Sequence, residues 1–263
     1  MLTCAERTPG TPGRVTGRLD GTTAIVTGAS SGIGNATARA LAAEGAAVAL
    51  FARRRDKLED LARELGSSAS VHEVDVSDAD AVRAAVDEAA AEHGGVDVLV
   101  NNAGYGSMDL ARDADLGEWQ KMVDVNLHGV LSTTHAALGH LAQAAQGARG
   151  IADVVTVSSV AGRTVTGPGS NVYAATKHAV GAFSEALRQE LAEQHGRVEL
   201  VEPGLVDTEL TNTGDDNKPD ASQASELGLL HADDIADAVV WMVTRPARAA
   251  VNEVLVRPTE QKG

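Results

Sequence analysis

Cysteine and long apolar segments are the first features that the sequence lacks. Its single cysteine, Cys4, excludes a disulfide bond within the chain, which is typical of a reducing compartment. No apolar run approaches the roughly 20 residues of a membrane-spanning helix, and the N-terminus lacks the charged-then-apolar order of a secretory signal. We therefore expect a soluble, cytoplasmic protein that makes no contact with a membrane.

Basic and aromatic residues are scarce as well. The sequence has 22 Lys and Arg against 37 Asp and Glu, and the resulting net charge of −15 disfavours nucleic acid as a partner. One of only two tyrosines, Tyr173, stands four positions before Lys177 in NVYAATK. A nearby cation lowers the pKa of a phenol, so this pair could exchange a proton with a substrate. Alternatively, the two residues only share a helix face.

Short apolar segments alternate with alanine-rich ones along the chain. The predicted strands are TAIVT, AVALFA, VHEVDV, VDVLVN, DVVTVSS, RVELVEP and VNEVLVRP, and helices are predicted near 33–44, 56–65, 79–93, 116–145, 172–195 and 232–244. Buried strands separated by helices indicate a doubly wound, Rossmann-type α/β fold, with a parallel sheet of about seven strands and helices on both faces. Ligands of such sheets bind at the carboxyl ends of the strands.

Two segments differ from this alternation. Residues 1–18 are aperiodic and contain two Pro-Gly pairs, so they are predicted to form a flexible extension before a single domain at 19–263. The polar stretch 211–228 is too long for an ordinary connection. We interpret it as part of an active-site lid that selects substrate; the alternative is a disordered surface loop.

The first predicted strand leads directly into a glycine-rich turn, GASSGIG, that opens a helix. Glycines without side chains let a backbone approach a pyrophosphate, and a helix N-terminus offers it N–H groups. In this position the turn favours a nucleotide site over a simple tight turn. The candidate residues are Gly28, Ser30, Ser31, Gly32, Ile33 and Gly34.

The end of the second strand indicates which dinucleotide binds. An acidic residue there would accept a hydrogen bond from the ribose 2′-hydroxyl of NAD, but this chain has Ala52 followed by three arginines. Because arginine suits a 2′-phosphate, the pattern favours NADP(H), with Arg53 as the first candidate and Arg54 as the second. The alternative is that these arginines are only the solvated start of the next helix.

Six motifs stand in one order along the chain: TGASSGIG, NNAG at 101–104, DVNLHG at 124–129, SSVAG at 158–162, YAATK and VEPGLVDTEL at 201–210. Together they resemble the short-chain dehydrogenase/reductase family, over about residues 19–257. The resemblance implies that Tyr173 is the general acid/base and that Lys177 lowers its pKa and binds the nicotinamide ribose. It also implies that Ser159 binds the substrate carbonyl and that Asn126 supports a proton-relay water. Taken alone, Ser159 could simply cap its own backbone, and Asn126 could mark a helix kink.

Further cofactor contacts are implied by the same resemblance. Asp75 matches the adenine contact, whereas its neighbour Asp78 is the candidate for capping the next helix. The other positions are Val76, Asn102, Ala103, Gly104, Pro203, Gly204, Val206 and Thr208.

The resemblance implies an NADP(H)-dependent oxidoreductase that reduces a ketone or aldehyde, or oxidises the matching alcohol. VEPGLVDTEL, ADDIADAV and NEVLVRPTEQ resemble the branch with 3-hydroxy acid dehydrogenases and the clavulanic aldehyde reductase. A ketoreductase that acts on a larger secondary metabolite is the alternative within the family. A non-catalytic sensor that only binds the dinucleotide is the alternative. We expect a small-molecule carbonyl or alcohol substrate, no metal, and a homodimer or homotetramer that pairs through the helices near 116–145 and 172–195.

Overall fold

In the part of the chain that the computed structural model describes, residues 17–165, 167–209 and 228–262, seven strands form one sheet. They are β1 (Thr23–Thr27), β2 (Ala47–Ala52), β3 (Ala69–Glu73), β4 (Val98–Asn101), β5 (Ala152–Val157), β6 (Gly196–Pro203) and β7 (Glu253–Val256). Their order is β3-β2-β1-β4-β5-β6-β7, and every neighbouring pair is parallel. The strand order reverses between β1 and β4, which is where ligands bind in open parallel sheets.

Helices cover both faces of the sheet. They are α1 (Gly32–Ala43), α2 (Arg55–Leu65), α3 (Ala79–His93), α4 (Leu116–Val123), α5 (Gly129–Ala144), α6 (Asn171–Leu191) and α7 (Ala232–Val243). Because side chains alternate along a strand, β1 feeds two separate cores. Ala24 and Val26 pack in the core that includes residues of α1, α2 and α7, whereas Ile25 packs in the core that includes residues of α3, α5 and α6. The predicted doubly wound α/β fold is confirmed.

Most predicted elements differ from the observed ones by a few residues at their ends, and two differences bear on the site. The strand predicted over 71–76 is β3 at Ala69–Glu73, because β3 pairs only with β2, and that pairing ends at Ala52 and Glu73. The helix predicted over 116–145 contains a π-helical turn, Asp124–His128, between α4 and α5. That wider turn contains the candidate residue Asn126.

The two segments that differ from the alternating pattern lie mostly outside the described residues. Residues 1–16 and 210–227 are not described, so the predicted extension and the predicted lid stay predictions. At the first boundary, the guanidinium of Arg18 donates hydrogen bonds to Glu44 and Thr244. At the second, Val206 and Leu230 form a parallel bridge that closes the base of the 205–230 segment.

None of the helices formed by residues 17–165, 167–209 and 228–262 has both the length and the apolar character needed to cross a membrane.

Candidate functional site

A cleft of about 430 Å³ lies along the carboxyl ends of the strands. Its lining includes nearly all of the predicted site residues: Gly28, Ser30, Ser31, Gly32, Ile33, Arg53, Arg54, Asp75, Val76, Asn102, Ala103, Gly104, Ser159, Tyr173, Lys177, Pro203, Gly204, Val206 and Thr208. The other two, Gly34 and Asn126, are buried close behind this lining. Residues that are far apart in the sequence therefore meet in one cleft.

The glycine-rich turn between β1 and α1 fits a bound pyrophosphate. Gly28 and Gly32 have φ angles of 68° and 52°, in the left-handed region that favours glycine. A Cβ atom on Gly34 would lie 2.4 Å from Nδ2 of Asn102 and 2.5 Å from the carbonyl oxygen of Gly28. Gly34 thus lets α1 approach β4 closely, and the N–H groups at the start of α1 face the cleft edge where a phosphate would bind.

Thr27 connects this turn to β4, and the sequence analysis missed it. Its hydroxyl oxygen accepts hydrogen bonds from the backbone N–H groups of Asn102, at 2.9 Å, and Ala103, at 3.0 Å. The side-chain amide of Asn102 donates in return to the carbonyl oxygen of Thr27, at 2.9 Å. The only sequence signal was a hydroxyl residue directly before the first glycine of the turn.

The arginines after β2 differ in their contacts. Arg54 donates from Nη2 to the hydroxyl oxygens of Ser30, at 3.0 Å, and Ser31, at 2.8 Å. Arg53 lies 3.8 Å from a carboxylate oxygen of Asp75, and both side chains are exposed. Arg54 therefore reaches the glycine-rich turn, whereas Arg53 lies near Asp75, in the segment after β3.

Asp75 and Asp78 make different contacts, which show which of them caps the helix α3. Asp78 is the N-cap of α3, and its carboxylate accepts from the N–H groups of Asp80 and Ala81. The Asp75 carboxylate accepts from the backbone N–H and the hydroxyl of Ser77. Asp78 is thus the residue that caps the helix, and Asp75 lines the cleft.

Tyr173 and Lys177 lie one turn apart on α6, and both are buried. The ammonium of Lys177 lies 5.7 Å from the centroid of the Tyr173 ring and donates to the carbonyl oxygen of Val157, at 3.0 Å. Burial lowers the pKa of Lys177 to about 8, because the charged form loses its hydration. Lys177 is therefore a cation that gives up its proton more readily than an exposed lysine.

The pKa of Tyr173 shifts in the direction opposite to the one predicted from its spacing to Lys177. Burial raises the pKa of the Tyr173 phenol, and a hydrogen bond with Ser159 only partly offsets this rise. The prediction of a lowered pKa was wrong for this structure, because a sequence spacing does not report how deeply a phenol is buried. At neutral pH the phenol therefore keeps its proton.

Ser159 both caps its own backbone and faces the tyrosine. Its Oγ atom accepts from the N–H of Ala161, at 3.1 Å, at the start of the 3₁₀ turn Val160–Gly162. Because a hydroxyl can accept and donate at once, its proton remains available for another partner. The two interpretations of Ser159 left open by the sequence are therefore compatible.

Asn126 stands in the π-helical turn and connects α4 to the segment after β4. Its Oδ1 atom accepts from the N–H of Tyr105, at 2.7 Å, and its Nδ2 atom donates to the carbonyl oxygen of Tyr105 and to Oγ1 of Thr176. A Cβ atom on Gly104 would lie 3.6 Å from Oδ1 of Asn126 and 3.9 Å from Nζ of Lys177. Asn126 thus fixes the backbone beside Lys177.

The lining also includes charged and aromatic residues that motif reasoning did not identify as site residues. Tyr105 donates from its hydroxyl to Glu118, and the ammonium of Lys121 lies 3.6 Å from the centroid of the Tyr105 ring. Glu209, directly after Thr208, faces Arg54. Contacts of this kind join separate loops, so no short motif reports them.

A nicotinamide dinucleotide is compatible with these groups: a backbone cradle for a pyrophosphate, an arginine beside two serine hydroxyls, and a partly buried Ser159 beside the buried Tyr173 and Lys177. Within residues 17–165, 167–209 and 228–262, there is no cluster of three or more His, Cys, Asp or Glu residues able to bind a metal ion.

A parallel sheet of this order, with such a cleft at its carboxyl edge, is typical of doubly wound α/β proteins that bind nucleotides. A family model described as short chain dehydrogenase matches residues 22–219. The chain therefore belongs to the short-chain dehydrogenase/reductase family of oxidoreductases, and the family predicted from the six motifs is confirmed.

Known relatives match almost the whole chain. Sulfoacetaldehyde reductase 2 of Chromohalobacter salexigens is 38% identical over 242 residues, which cover 90% of this chain and 94% of the relative. The closed form of a serine dehydrogenase complexed with NADP+ is similar with a TM-score of 0.84 and 33% identity, over 92% of this chain and 97% of that chain. A 3-ketoacyl-(acyl-carrier-protein) reductase from Brucella melitensis complexed with NADH has a TM-score of 0.81 and 32% identity, over 92% of this chain and 99% of that chain.

Proposed function

We propose that this chain is an NADP(H)-dependent oxidoreductase that interconverts a carbonyl compound and its alcohol. The observation that carries the proposal is the close grouping of Ser159, Tyr173 and Lys177 at one end of the cleft that begins at the glycine-rich turn. A protein that only sensed the dinucleotide would not need a buried proton donor and a buried cation together at that end.

In the reductive direction, the bound nicotinamide would supply a hydride to the carbonyl carbon. Tyr173 donates its phenolic proton to the carbonyl oxygen, and its raised pKa favours this role because the phenol is protonated at neutral pH. Ser159 donates a hydrogen bond to the same oxygen, using the proton that its bond from Ala161 leaves free. Lys177 stabilises the phenolate that forms, and Asn126 fixes the backbone at Tyr105 beside it.

The choice of NADP(H) over NAD(H) rests on the arginines after β2. The sequence favoured Arg53, but the bonds of Arg54 to Ser30 and Ser31 support Arg54 as the main contact of a 2′-phosphate. Arginine binds phosphate through charge-assisted hydrogen bonds, and the two serine hydroxyls add uncharged donors. Bound NADP+ in the similar serine dehydrogenase agrees with this choice, whereas NADH in the similar 3-ketoacyl reductase shows that the family fold accepts both.

The substrate class follows from the relatives rather than from the cleft. Their names give an anionic aldehyde, a 3-hydroxy amino acid and a 3-ketoacyl group. The serine dehydrogenase supports the predicted branch of 3-hydroxy acid dehydrogenases and the clavulanic aldehyde reductase, since serine is a 3-hydroxy acid. Assembly as a homodimer or homotetramer stays a prediction.

The proposal is tested by following NADPH consumption with sulfoacetaldehyde, a 3-oxo acid and a 3-ketoacyl thioester, and NADP+ reduction with serine. We expect turnover with at least one of these compounds in the wild-type protein. Tyr173→Phe should bind NADPH as the wild type does but lose turnover, because the substitution removes only the phenolic oxygen. If the protein bound NADPH tightly but turned over none of these compounds, the alternative of a non-catalytic dinucleotide sensor would be favoured.

A further inference from the structure

A carboxylate already occupies the anion-binding groups beside the glycine-rich turn. The Oε2 atom of Glu209 lies 2.9 Å from Nη1 of Arg54, and Nη2 of the same guanidinium donates to Ser30 and Ser31. Glu209, Arg54 and both serines line the cleft. Glu209 thus stands where the proposed function places the 2′-phosphate of NADP(H).

The surroundings keep Glu209 ionised. Hydrogen bonds from Arg54 and Ser31, together with the charges of Arg54 and Lys57, hold the pKa of Glu209 below its usual range. A 2′-phosphate is also anionic, so the two groups compete for the same donors and repel each other. A 2′-hydroxyl makes a different demand, because it can donate a hydrogen bond to an ionised carboxylate.

The segment that carries Glu209 lies against the glycine-rich turn. A Cβ atom on Gly32 would lie 3.2 Å from Cγ2 of Thr208, the residue before Glu209. Both partners of the ion pair are partly exposed, with 43% of the Arg54 side chain and 63% of the Glu209 side chain accessible to water. Exposed ion pairs contribute little to stability, so a phosphate can displace this one without unfolding its surroundings.

We propose that Glu209 is a specificity-determining residue that narrows the preference of this protein for NADP(H) over NAD(H). Its carboxylate pairs with Arg54 and the Ser31 hydroxyl until a 2′-phosphate displaces it, and it accepts a hydrogen bond from a 2′-hydroxyl. This inference rests on the proposed binding of NADP(H) at Arg54. Glu209 would contact the cofactor but not the atoms that react, so it is not a catalytic residue.

The test is isothermal titration calorimetry with two small probes, 2′,5′-ADP, which carries the 2′-phosphate, and 5′-AMP, which lacks it. Glu209→Gln removes the charge and keeps the shape of the side chain. Glu59→Gln is the matched control, because Glu59 pairs at 2.8 Å with Arg55, the next arginine, and does not line the cleft. Neither probe requires catalysis.

We expect Glu209→Gln to bind 2′,5′-ADP about 2- to 5-fold more tightly than the wild type, the size of effect that one exposed ion pair can have. Its affinity for 5′-AMP should stay the same or fall, and Glu59→Gln should change neither affinity. In an Arg54→Ala background the gain from Glu209→Gln should shrink, since the guanidinium for which Glu209 and the phosphate compete would be absent.

Three results would overturn the inference. If the wild type prefers 2′,5′-ADP and Glu209→Gln leaves that preference unchanged, Glu209 does not compete with the phosphate, although the proposed choice of NADP(H) stands. If neither protein prefers 2′,5′-ADP over 5′-AMP, there is no 2′-phosphate site, and the proposed cofactor fails with the inference. An undiminished gain in the Arg54→Ala background would show that the ion pair is not the cause.

Discussion

The Nζ atom of Lys177 donates a hydrogen bond to the carbonyl oxygen of Val157, the last residue of β5, at 3.0 Å. This bond ties α6 to the sheet and directs the ammonium toward the cleft behind Tyr173. It does not repay the full cost of burying a cation, because burial lowers the pKa of Lys177 to about 8 from its ordinary 10.5. The buried ammonium of Lys177 therefore lowers the stability of the folded protein, but it places a positive charge in the cleft.

The first prediction concerns Lys177→Met, which keeps the length of the side chain and removes its charge. Below pH 8 the folded protein carries a buried cation, so the variant should be more stable at pH 7 by roughly 1–3 kcal/mol, after allowance for the lost hydrogen bond. As pH rises from 8 toward 10.5, the folded wild type releases this proton before the unfolded chain does, so the wild type gains relative stability.

Chemical denaturation of both proteins at several pH values measures this difference. The gap between them should close with increasing pH. If Lys177→Met were less stable than the wild type at pH 7, and the difference in stability did not change with pH, burial of Lys177 would not destabilise the folded protein. NADPH affinity should fall in Lys177→Met, since the proposed ribose contact is lost.

A second buried ionisable group lies in β6. Glu199 is fully buried, and Nε of Arg197 lies 3.8 Å from its carboxylate. Desolvation, with the charge of Asp153 adding to it, raises the pKa of Glu199 to about 8 from 4.5, although Arg197 and Arg149 act in the other direction. Its contribution to stability is therefore present below pH 4.5 and is lost as pH rises through about 8.

Glu199→Gln should remove that pH dependence. Relative to the wild type, the variant should gain roughly 2–4 kcal/mol in free energy of unfolding between pH 5 and pH 9. Urea unfolding at both pH values measures the gain, and Glu190→Gln, on the exposed side of α6, is the control. If the free energy of unfolding changed equally with pH in all three proteins, Glu199 would be ionised throughout this range.

The third prediction uses two glycines in helices. A Cβ atom on Gly34 would overlap Asn102 and Gly28, whereas one on Gly139, in α5, would meet nothing within 4 Å. Gly34→Ala should lower the free energy of unfolding by roughly 1–3 kcal/mol and weaken dinucleotide binding. Gly139→Ala should be neutral or stabilising by up to about 1 kcal/mol, since alanine favours helices. Thermal unfolding of both variants checks this, and an unaffected Gly34→Ala would disprove the close approach of α1 to β4.

The fourth prediction separates the two arginines after β2. Arg54→Ala should weaken NADPH binding by about 10-fold or more, because it removes charge-assisted hydrogen bonds, and should leave NADH binding nearly unchanged. Arg53→Ala should weaken NADPH binding less than Arg54→Ala does, since Arg53 lies against Asp75 and not against the glycine-rich turn. Titration of both variants with each dinucleotide measures the affinities. A larger loss in Arg53→Ala would return the assignment to the residue that the sequence favoured.

The sequence predicted the parts of the molecule that local rules determine. The strand-turn-helix around Gly28, the shared helix face of Tyr173 and Lys177, and the alternation of strands and helices all depend on short spacings. The bounds of β3 could not be predicted from its own residues, because that strand ends where its neighbour β2 ends, at Ala52. Edge strands take their length from a partner that is distant in sequence.

Two features of the site also required the fold. The direction of the Tyr173 pKa depends on burial by elements from several parts of the chain, which the i to i+4 spacing does not report. The pairing of Arg54 with Glu209 joins positions 155 residues apart, and Thr27 bonds to the backbone of Asn102 from another strand. Motifs predicted which residues line the cleft, whereas the pKa values and partners of those residues depended on tertiary contacts.

The central claim is that the cleft transfers hydride from NADPH to a carbonyl carbon while Tyr173 supplies the proton. The most direct measurement uses NADPH deuterated at the transferable position of the nicotinamide ring, with the carbonyl compound that gives turnover, and mass spectrometry of the alcohol formed. The account predicts one deuterium on the former carbonyl carbon with the wild type and almost no alcohol with Tyr173→Phe, although that variant binds NADPH normally. An alcohol without deuterium, or labelled alcohol formed by Tyr173→Phe at the wild-type rate, would contradict it.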